Sequence, residues 1–183
     1  GREQKNQKRC DSRGKEKPEN KSKLAQKDID ADWTKKNGER HFGYKDHVKC
    51  DADSKLITNY SVTSASVHDS QRCLVFIGQE DEVLYADSAY SGKPIALALP
   101  ENCKNQICEK GYRNSPLTSE QKMNNRRKSR IRCRIEQIFG FMTGAMHGIT
   151  IRSIGITRAW MNIGITNLVY NFCRYSYLKR ASA

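Results

Sequence analysis

Residues 82–93 read EVLYADSAYSGK, and the choice of fold turns on them. Val83, Leu84, Tyr85 and Ala86 run without interruption into Asp87, and Ser88 and Ala89 then break the pattern. A short apolar run bounded by turn residues suits a buried central strand of an α/β sheet. This one would deliver a carboxylate at its C-terminal end, where a charge is costly unless it is paired or metal-bound. Upstream, residues 40–50 (RHFGYKDHVKC) and 55–64 (KLITNYSVTS) are rich in β-branched and aromatic residues, and residues 51–54 (DADS) form a hairpin loop between them. Trp33 is the first large apolar anchor, and Asn37-Gly38 is a turn signal. Asp69 or Ser70 caps a helix running into Leu74, Val75, Phe76 and Ile77.

Downstream, residues 93–100 (KPIALALP) predict a short helix closed by Pro100, and residues 105–111 (NQICEKG) one more strand. Ser115-Pro116 and residues 117–120 open a long helix. Its Ile131, Ile135, Ile138 and Met142 fall on one face, and Gly140 and Gly144 leave its end open. The last segment, 158–179, spaces Met161, Ile165, Leu168, Phe172 and Tyr175 at alternating steps of four and three, as an amphipathic helix closing the core would. The order of elements predicts an α/β domain with a mixed sheet flanked by helices.

Length and charge bound the function. The chain has 183 residues, 33 basic against 20 acidic, and a net charge of +13. Residues 51–103 are net acidic, both flanks are net basic, and no acid follows Glu136. A basic chain with an acidic centre suits a polyanion-binding protein whose middle holds cations. Residues 1–27 hold Leu24 as their one large aliphatic side chain and read as a polar, basic arm; residues 28–183 read as the domain. The longest uncharged runs, 137–151 and 159–173, are too short to span a bilayer. The seven cysteines form no C-x-x-C pair and read as free thiols of a reducing cytosol.

Asp87 and Glu136 are the acids that stand out. Glu136 closes the basic run Lys122, Arg126, Arg127, Lys128, Arg130, Arg132 and Arg134. A strand-end carboxylate and a helix carboxylate packed across that strand can hold hard divalent cations, and two such metals can activate an attacking oxygen and stabilise a leaving one. The bland alternatives stand beside this. Asp87 can be a turn or cap residue, and Glu136 can be the i,i+4 partner of Arg132.

Three blocks in order, KLAQKDIDADWTKKNGERHFGYKDHVKCDADSKLI…VTSASVHDSQ, ADSAYSG and RCRIEQIFG, resemble the bacterial insertion-sequence transposases of the DDE family, in its IS-five branch. The resemblance runs from about Leu24 to Leu178. It implies an RNase H-like fold and an enzyme that uses Mg²⁺ or Mn²⁺ to cut transposon ends and join the freed 3′-hydroxyl to target DNA. It also implies double-stranded DNA as partner, a homo-oligomer when full length, no membrane, and a cytoplasmic, nucleoid-associated place in a bacterium. By position, Asp87 matches the second acid of the Asp-Asp-Glu triad, Glu136 the third, and Arg132 the arginine often found one turn earlier. The family's first acid lies on a strand upstream of the WTKKNG…GYK block. Only the polar arm precedes that block here, so the chain reads as a fragment lacking the first core strand and is expected to be inactive alone. Thr143 stands where related groups often have lysine.

Asp28, Asp30 and Asp32 are stand-ins for the first acid, and His41 with His47 share a strand face as a weak metal pair. His68-Asp69 resembles a family block, with capping of the next helix as its bland role. Lys45, Lys128, Arg130, Arg132 and Arg134 are the residues read as DNA contacts. Lys45 is as readily a solvated strand residue.

Overall fold

The computed structural model describes residues 26–36 and 38–182. The predicted arm lies outside them except for its last two residues, as does Asn37 of the predicted turn. Among these residues the elements follow in the order β1 (Asp32–Lys36), β2 (Glu39–Cys50), β3 (Ile57–Ser64), α1 (Ser70–Phe76), β4 (Val83–Leu84), the 3₁₀ turn Ser88–Tyr90, α2 (Lys93–Ala98), β5 (Lys104–Asn105), α3 (Ser119–Gly144) and α4 (Ile156–Ala181). The α/β composition and the element order agree with the sequence reading, with β1 as an additional strand.

The sheet does not. The strands divide into an antiparallel β1-β2-β3 meander and a separate parallel β4-β5 pair. Among the described residues no hydrogen-bonded ladder joins the two into one mixed sheet. The segment 83–86 is also not a buried central strand: Val83 is 38% exposed and, among the described residues, its ladder has one side only. Backbone bonds carry the parallel pairing past the two assigned residues, from Gln106 N–H to the Leu84 carbonyl and from Cys108 N–H to the Ala86 carbonyl.

The meander has two faces because side chains alternate along β2. Tyr44, Asp46, Val48 and Cys50 share a face with Tyr60 and Val62 of β3; Lys45, His47 and Lys49 share the other with Ser61 and Thr63. The first face carries a core in which Val48, Cys50 and Ile57 meet Ile135, Ile138, Phe139 and Met142 of α3 and Tyr170 of α4. A second, smaller cluster joins Cys73 of α1, Ile95 of α2 and Ile107 with Leu84, Ala86 and Tyr90. The predicted apolar face of α3 is therefore where it was read, and both glycines lie inside the helix. Thr118 and Gln121 begin it with a reciprocal capping box. Trp33, read as the first large apolar anchor, is 59% exposed and stacks obliquely on Phe42 with ring centroids 5.2 Å apart.

The last helix corrects the reading most. Its buried residues are Ala159, Ile163, Asn167 and Tyr170. Met161, Ile165, Leu168, Phe172 and Tyr175, the stripe expected to close the core, all face solvent. Its start is fixed by two acids: Asp28 accepts from Gly155 N–H at 3.2 Å and Asp30 from Ile156 N–H at 3.0 Å, carboxylates placed at the positive end of the helix dipole.

Gly164 lets α4 lie against β3. A Cβ there would overlap the Tyr60 hydroxyl and come within 2.9 Å of its Cζ, and that ring is held against Trp160 at 5.7 Å. Gly164→Ala is expected to lower stability by about 1–2 kcal/mol net, overpacking outweighing the gain in helix propensity. Thermal unfolding measures it; an unchanged or raised Tm would show that the ring moves freely.

Candidate active site and nucleic-acid face

Asp87 follows Ala86, the last residue of the parallel pairing. Its carboxylate Oδ1 accepts from Ser88 N–H at 2.6 Å and caps the 3₁₀ turn Ser88–Tyr90. Its carbonyl accepts from Tyr90 N–H. The side chain is exposed, so it avoids the burial cost the sequence suggested. Burial pushes the Tyr90 phenol up to about 12, and Asp69, Cys73 and Asp87 add to the rise, so Asp69 and Asp87 both act on one ring.

Glu136 projects from α3 with 58% of its side chain exposed, and Arg132 Nη2 reaches its Oε1 at 2.9 Å. Both local pairings named from sequence, the cap at Asp87 and the i,i+4 bridge at Glu136, are therefore formed. Among the described residues no hydrogen bond or ion pair joins the two acids directly. The link between their elements runs through the segment after β5. Asn125 exchanges two hydrogen bonds with the Glu109 backbone, Lys128 Nζ donates to the Ile107 carbonyl at 3.0 Å, and Ser129 Oγ lies 3.8 Å from Cys108 Sγ. Seven residues separate Ser129 from Glu136, two helical turns or about 10 Å along one face of α3.

The stand-in acids have other duties. Asp28 takes the Tyr44 hydroxyl at 2.7 and 2.8 Å and the N–H groups of Asp30, Ala31 and Gly155. Desolvation raises its pKa, but these hydrogen bonds outweigh it and hold the carboxyl below its usual range. Asp32 accepts from Trp33 N–H at 2.7 Å. His41 is exposed, 3.9 Å from Glu39, whereas His47 is buried on Thr63 Oγ1 at 2.8 Å. Burial lowers the His47 pKa, and Asp69 partly opposes this. The two histidines do not form a metal pair. Among the described residues no three His, Cys, Asp or Glu side chains converge as a cation site.

Asp69 stands at the N-cap of α1, yet its carboxylate makes no cap bond. It turns to Lys45 Nζ at 3.2 Å and towards His47 Nδ1 at 3.9 Å. Lys45 also donates to the Val67 carbonyl at 2.8 Å. Lys49, next on that face, donates to Asp81 at 2.6 and 2.7 Å and to the Phe76 carbonyl. Sequence reasoning missed the Lys49–Asp81 tie; the signal was the period-two spacing of Lys45, His47 and Lys49.

The residues read as DNA contacts divide in the same way. Lys45, Lys128, Arg132 and Arg134 have partners within the chain, Arg134 at 3.3 Å from Asp53. Arg130 is exposed, as are Lys122, Arg126 and Arg127, and among the described residues these four side chains meet no partner. Lys122, Arg126 and Arg130 repeat every four residues, on one stripe of α3. Thr143, where a lysine was expected from the resemblance, bonds back to the Phe139 carbonyl at 2.8 Å. Among the described residues no helix is long and apolar enough to cross a membrane.

The site thus holds an acid at the end of a paired strand and a second acid on a long basic helix. The chain belongs to the transposase DDE domain family, whose model matches residues 9–172. It is similar to the transposase for insertion sequence element IS1106 of Neisseria meningitidis serogroup B, 34% identical over 117 residues. That match covers 62% of this chain and 40% of the relative, so the chain spans well under half of the relative's length. No solved structure matches the chain.

Proposed function

We propose that residues 28–183 form an RNase H-like catalytic domain of an insertion-sequence transposase of the IS-five branch, with residues 1–27 as its polar arm. Its substrate is duplex DNA, cut at transposon ends and joined through the freed 3′-hydroxyl to a target, by a homo-oligomer. Asp87 and Glu136 hold a divalent cation, Mg²⁺ or Mn²⁺. The observation that carries this reading is the position of Asp87, directly after a strand pair whose other strand runs into a segment bonded to the helix bearing Glu136.

The donor chemistry fits such an ion. Each acid has one oxygen engaged, by Ser88 N–H or by Arg132, and one without a partner among the described residues. Mg²⁺ is commonly held by one or two carboxylates together with substrate phosphate oxygens. When bound, the ion lowers the pKa of the attacking water or hydroxyl and offsets charge on the leaving oxygen. Arg132 holds Glu136 in one orientation, Ser88 N–H does so for Asp87, and the unpartnered bases of α3 bind backbone phosphates. A second reading, DNA binding without chemistry, is favoured by the absence of a third converging acid among the described residues.

Metal binding separates the two. Mn²⁺ added to the isotope-labelled chain is expected to broaden the amide signals around Asp87 and Glu136 first, and Asp87→Asn with Glu136→Gln to remove the effect. Broadening centred on Asp28 and Asp30 would move the site, and uniform weak broadening would favour the second reading. With the protein expressed from its complete reading frame, either substitution is expected to lower end cleavage by about 10²-fold or more, with duplex binding changed less than ~3-fold.

A further inference from the structure

β1 and the first part of β2 form a two-stranded ribbon. β1 pairs with residues 39–43, and β3 takes up β2 only from Tyr44 onward. None of residues 32–36 and 39–43 is buried, and neither apolar cluster includes one of them. Residues directly opposite in an antiparallel pair share a face, as do residues two apart on one strand. Trp33 opposite Phe42 and Lys35 opposite Arg40 therefore make one face of the ribbon, and Lys36 opposite Glu39 belongs to the other.

The two faces differ in charge. On the second, a cation stands against an anion. On the first, two cations stand directly opposite each other, which destabilises the pairing, and neither meets a partner among the described residues. Next to them Trp33 and Phe42 leave more than half of each side chain open to solvent, with ring centroids 5.2 Å apart. Opposed cations and uncovered rings are both costs to the free chain. One kind of ligand removes both, a polyanion that carries flat apolar rings.

We propose that this face binds an unpaired stretch of DNA, with bases stacked on Trp33 and Phe42 and phosphates held by Lys35 and Arg40; the assignment rests on DNA being the substrate of the chain. The ring pair and the cation pair lie two residues apart along the ribbon, about 7 Å. Aromatic stacking beside a cationic track holds single strands with little regard to sequence. The rings select the unpaired form. In a duplex each base face is already stacked on its neighbours, so a duplex would engage the cations and leave the rings uncovered.

Fluorescence titration of the chain carrying Trp160→Phe, in which Trp33 is the sole tryptophan, tests the proposal. An oligo(dT) of about 16 nucleotides is expected to quench the Trp33 emission. By anisotropy of the labelled oligonucleotide, Trp33→Ala with Phe42→Ala is expected to weaken its binding by about 30-fold, and that of a duplex of the same length by less than ~3-fold. Lys35→Ala with Arg40→Ala is expected to flatten the slope of log affinity against log salt by about 1.4 for the single strand. Arg40→Glu gives a readout that a purely structural role would not. Its Tm is expected to rise, because the opposed cations become an ion pair, while oligo(dT) affinity falls. Should the double aromatic variant fail to fold, Phe42→Leu, apolar but without a stacking face, is expected to weaken oligo(dT) binding about fivefold or more. Duplex binding without quenching by oligo(dT), or quenching indifferent to Phe42→Leu, would overturn this assignment and leave the proposed function standing. Binding of neither form would overturn both. Tighter binding of oligo(rU) or of poly-glutamate than of oligo(dT) would give the face to another class of ligand and overturn it as well.

Discussion

Replacing Lys122, Arg126 and Arg130 together by alanine is expected to weaken binding to duplex DNA by about 10²–10³-fold near 0.1 M salt. These side chains repeat every four residues on α3, are exposed, and meet no partner among the described residues. They are therefore free to replace counterions along a phosphate backbone. Each phosphate that a basic side chain neutralises adds about 0.9 to the steepness of log affinity against log salt, so removing three such side chains flattens it by about 2.7. The weakening should be nearly the same for any duplex, because phosphate contacts position the protein without reading bases. Arg134→Gln is the control. Its guanidinium is 3.3 Å from Asp53, so its removal should leave the slope almost unchanged. A salt slope untouched by the triple substitution would move the DNA face off this helix. Titrations at four or five salt concentrations decide the matter.

Asp46→Asn is expected to stabilise the chain by about 2–3 kcal/mol at pH 7 and by almost nothing at pH 4. Asp46 lies on the core face of β2, with Asn167 of α4 donating to its Oδ1 at 3.4 Å. Asp46 Oδ2 and Asn167 Oδ1 are both buried with no hydrogen-bond partner among the described residues. Two acceptors face one donor group, and a proton on the carboxyl would satisfy both. Burial accordingly pushes the Asp46 pKa up to about 6 from 3.8, with the Asn167 bond opposing it. The folded state thus binds the proton more tightly than the unfolded chain. The contribution of Asp46 is full below about pH 4, falls as the pH rises from there to about 6, and is flat above. Asparagine keeps the shape and supplies the missing donor without a charge. Denaturant unfolding of both proteins across pH 4–8 measures it. A stability difference between the two proteins that failed to grow across that interval would refute the argument.

Local rules read much of this chain correctly. Alternation in 40–50 and 55–64, a loop rich in Asp and Ser between them, and the apolar spacing of α3 each depend on neighbours within one element. The meander, α1, α2 and both long helices accordingly lie where their residues place them. Asp87 at a turn and Glu136 one turn after Arg132 were legible for the same reason, since each pairing spans four residues or fewer.

Contacts distant in sequence were decided by the tertiary structure. Periodicity shows that α4 has an apolar stripe, but not which of its two stripes meets the sheet. Gly164 settles this by letting the helix close on Tyr60, which turns Met161, Ile165 and Leu168 outward. A basic run likewise does not say which of its members are free. Only packing shows that Lys128 is spent on the Ile107 carbonyl and Arg134 on Asp53 while the Arg130 side chain meets no partner among the described residues. The acids at 28 and 30, which as sequence could pass for metal ligands, are drawn to the start of a helix more than 120 residues away by its unsatisfied N–H groups. Sequence pattern determines which surfaces must be covered and which charges need partners. The partner itself is set by loop closure and packing over long separations, which no local rule contains.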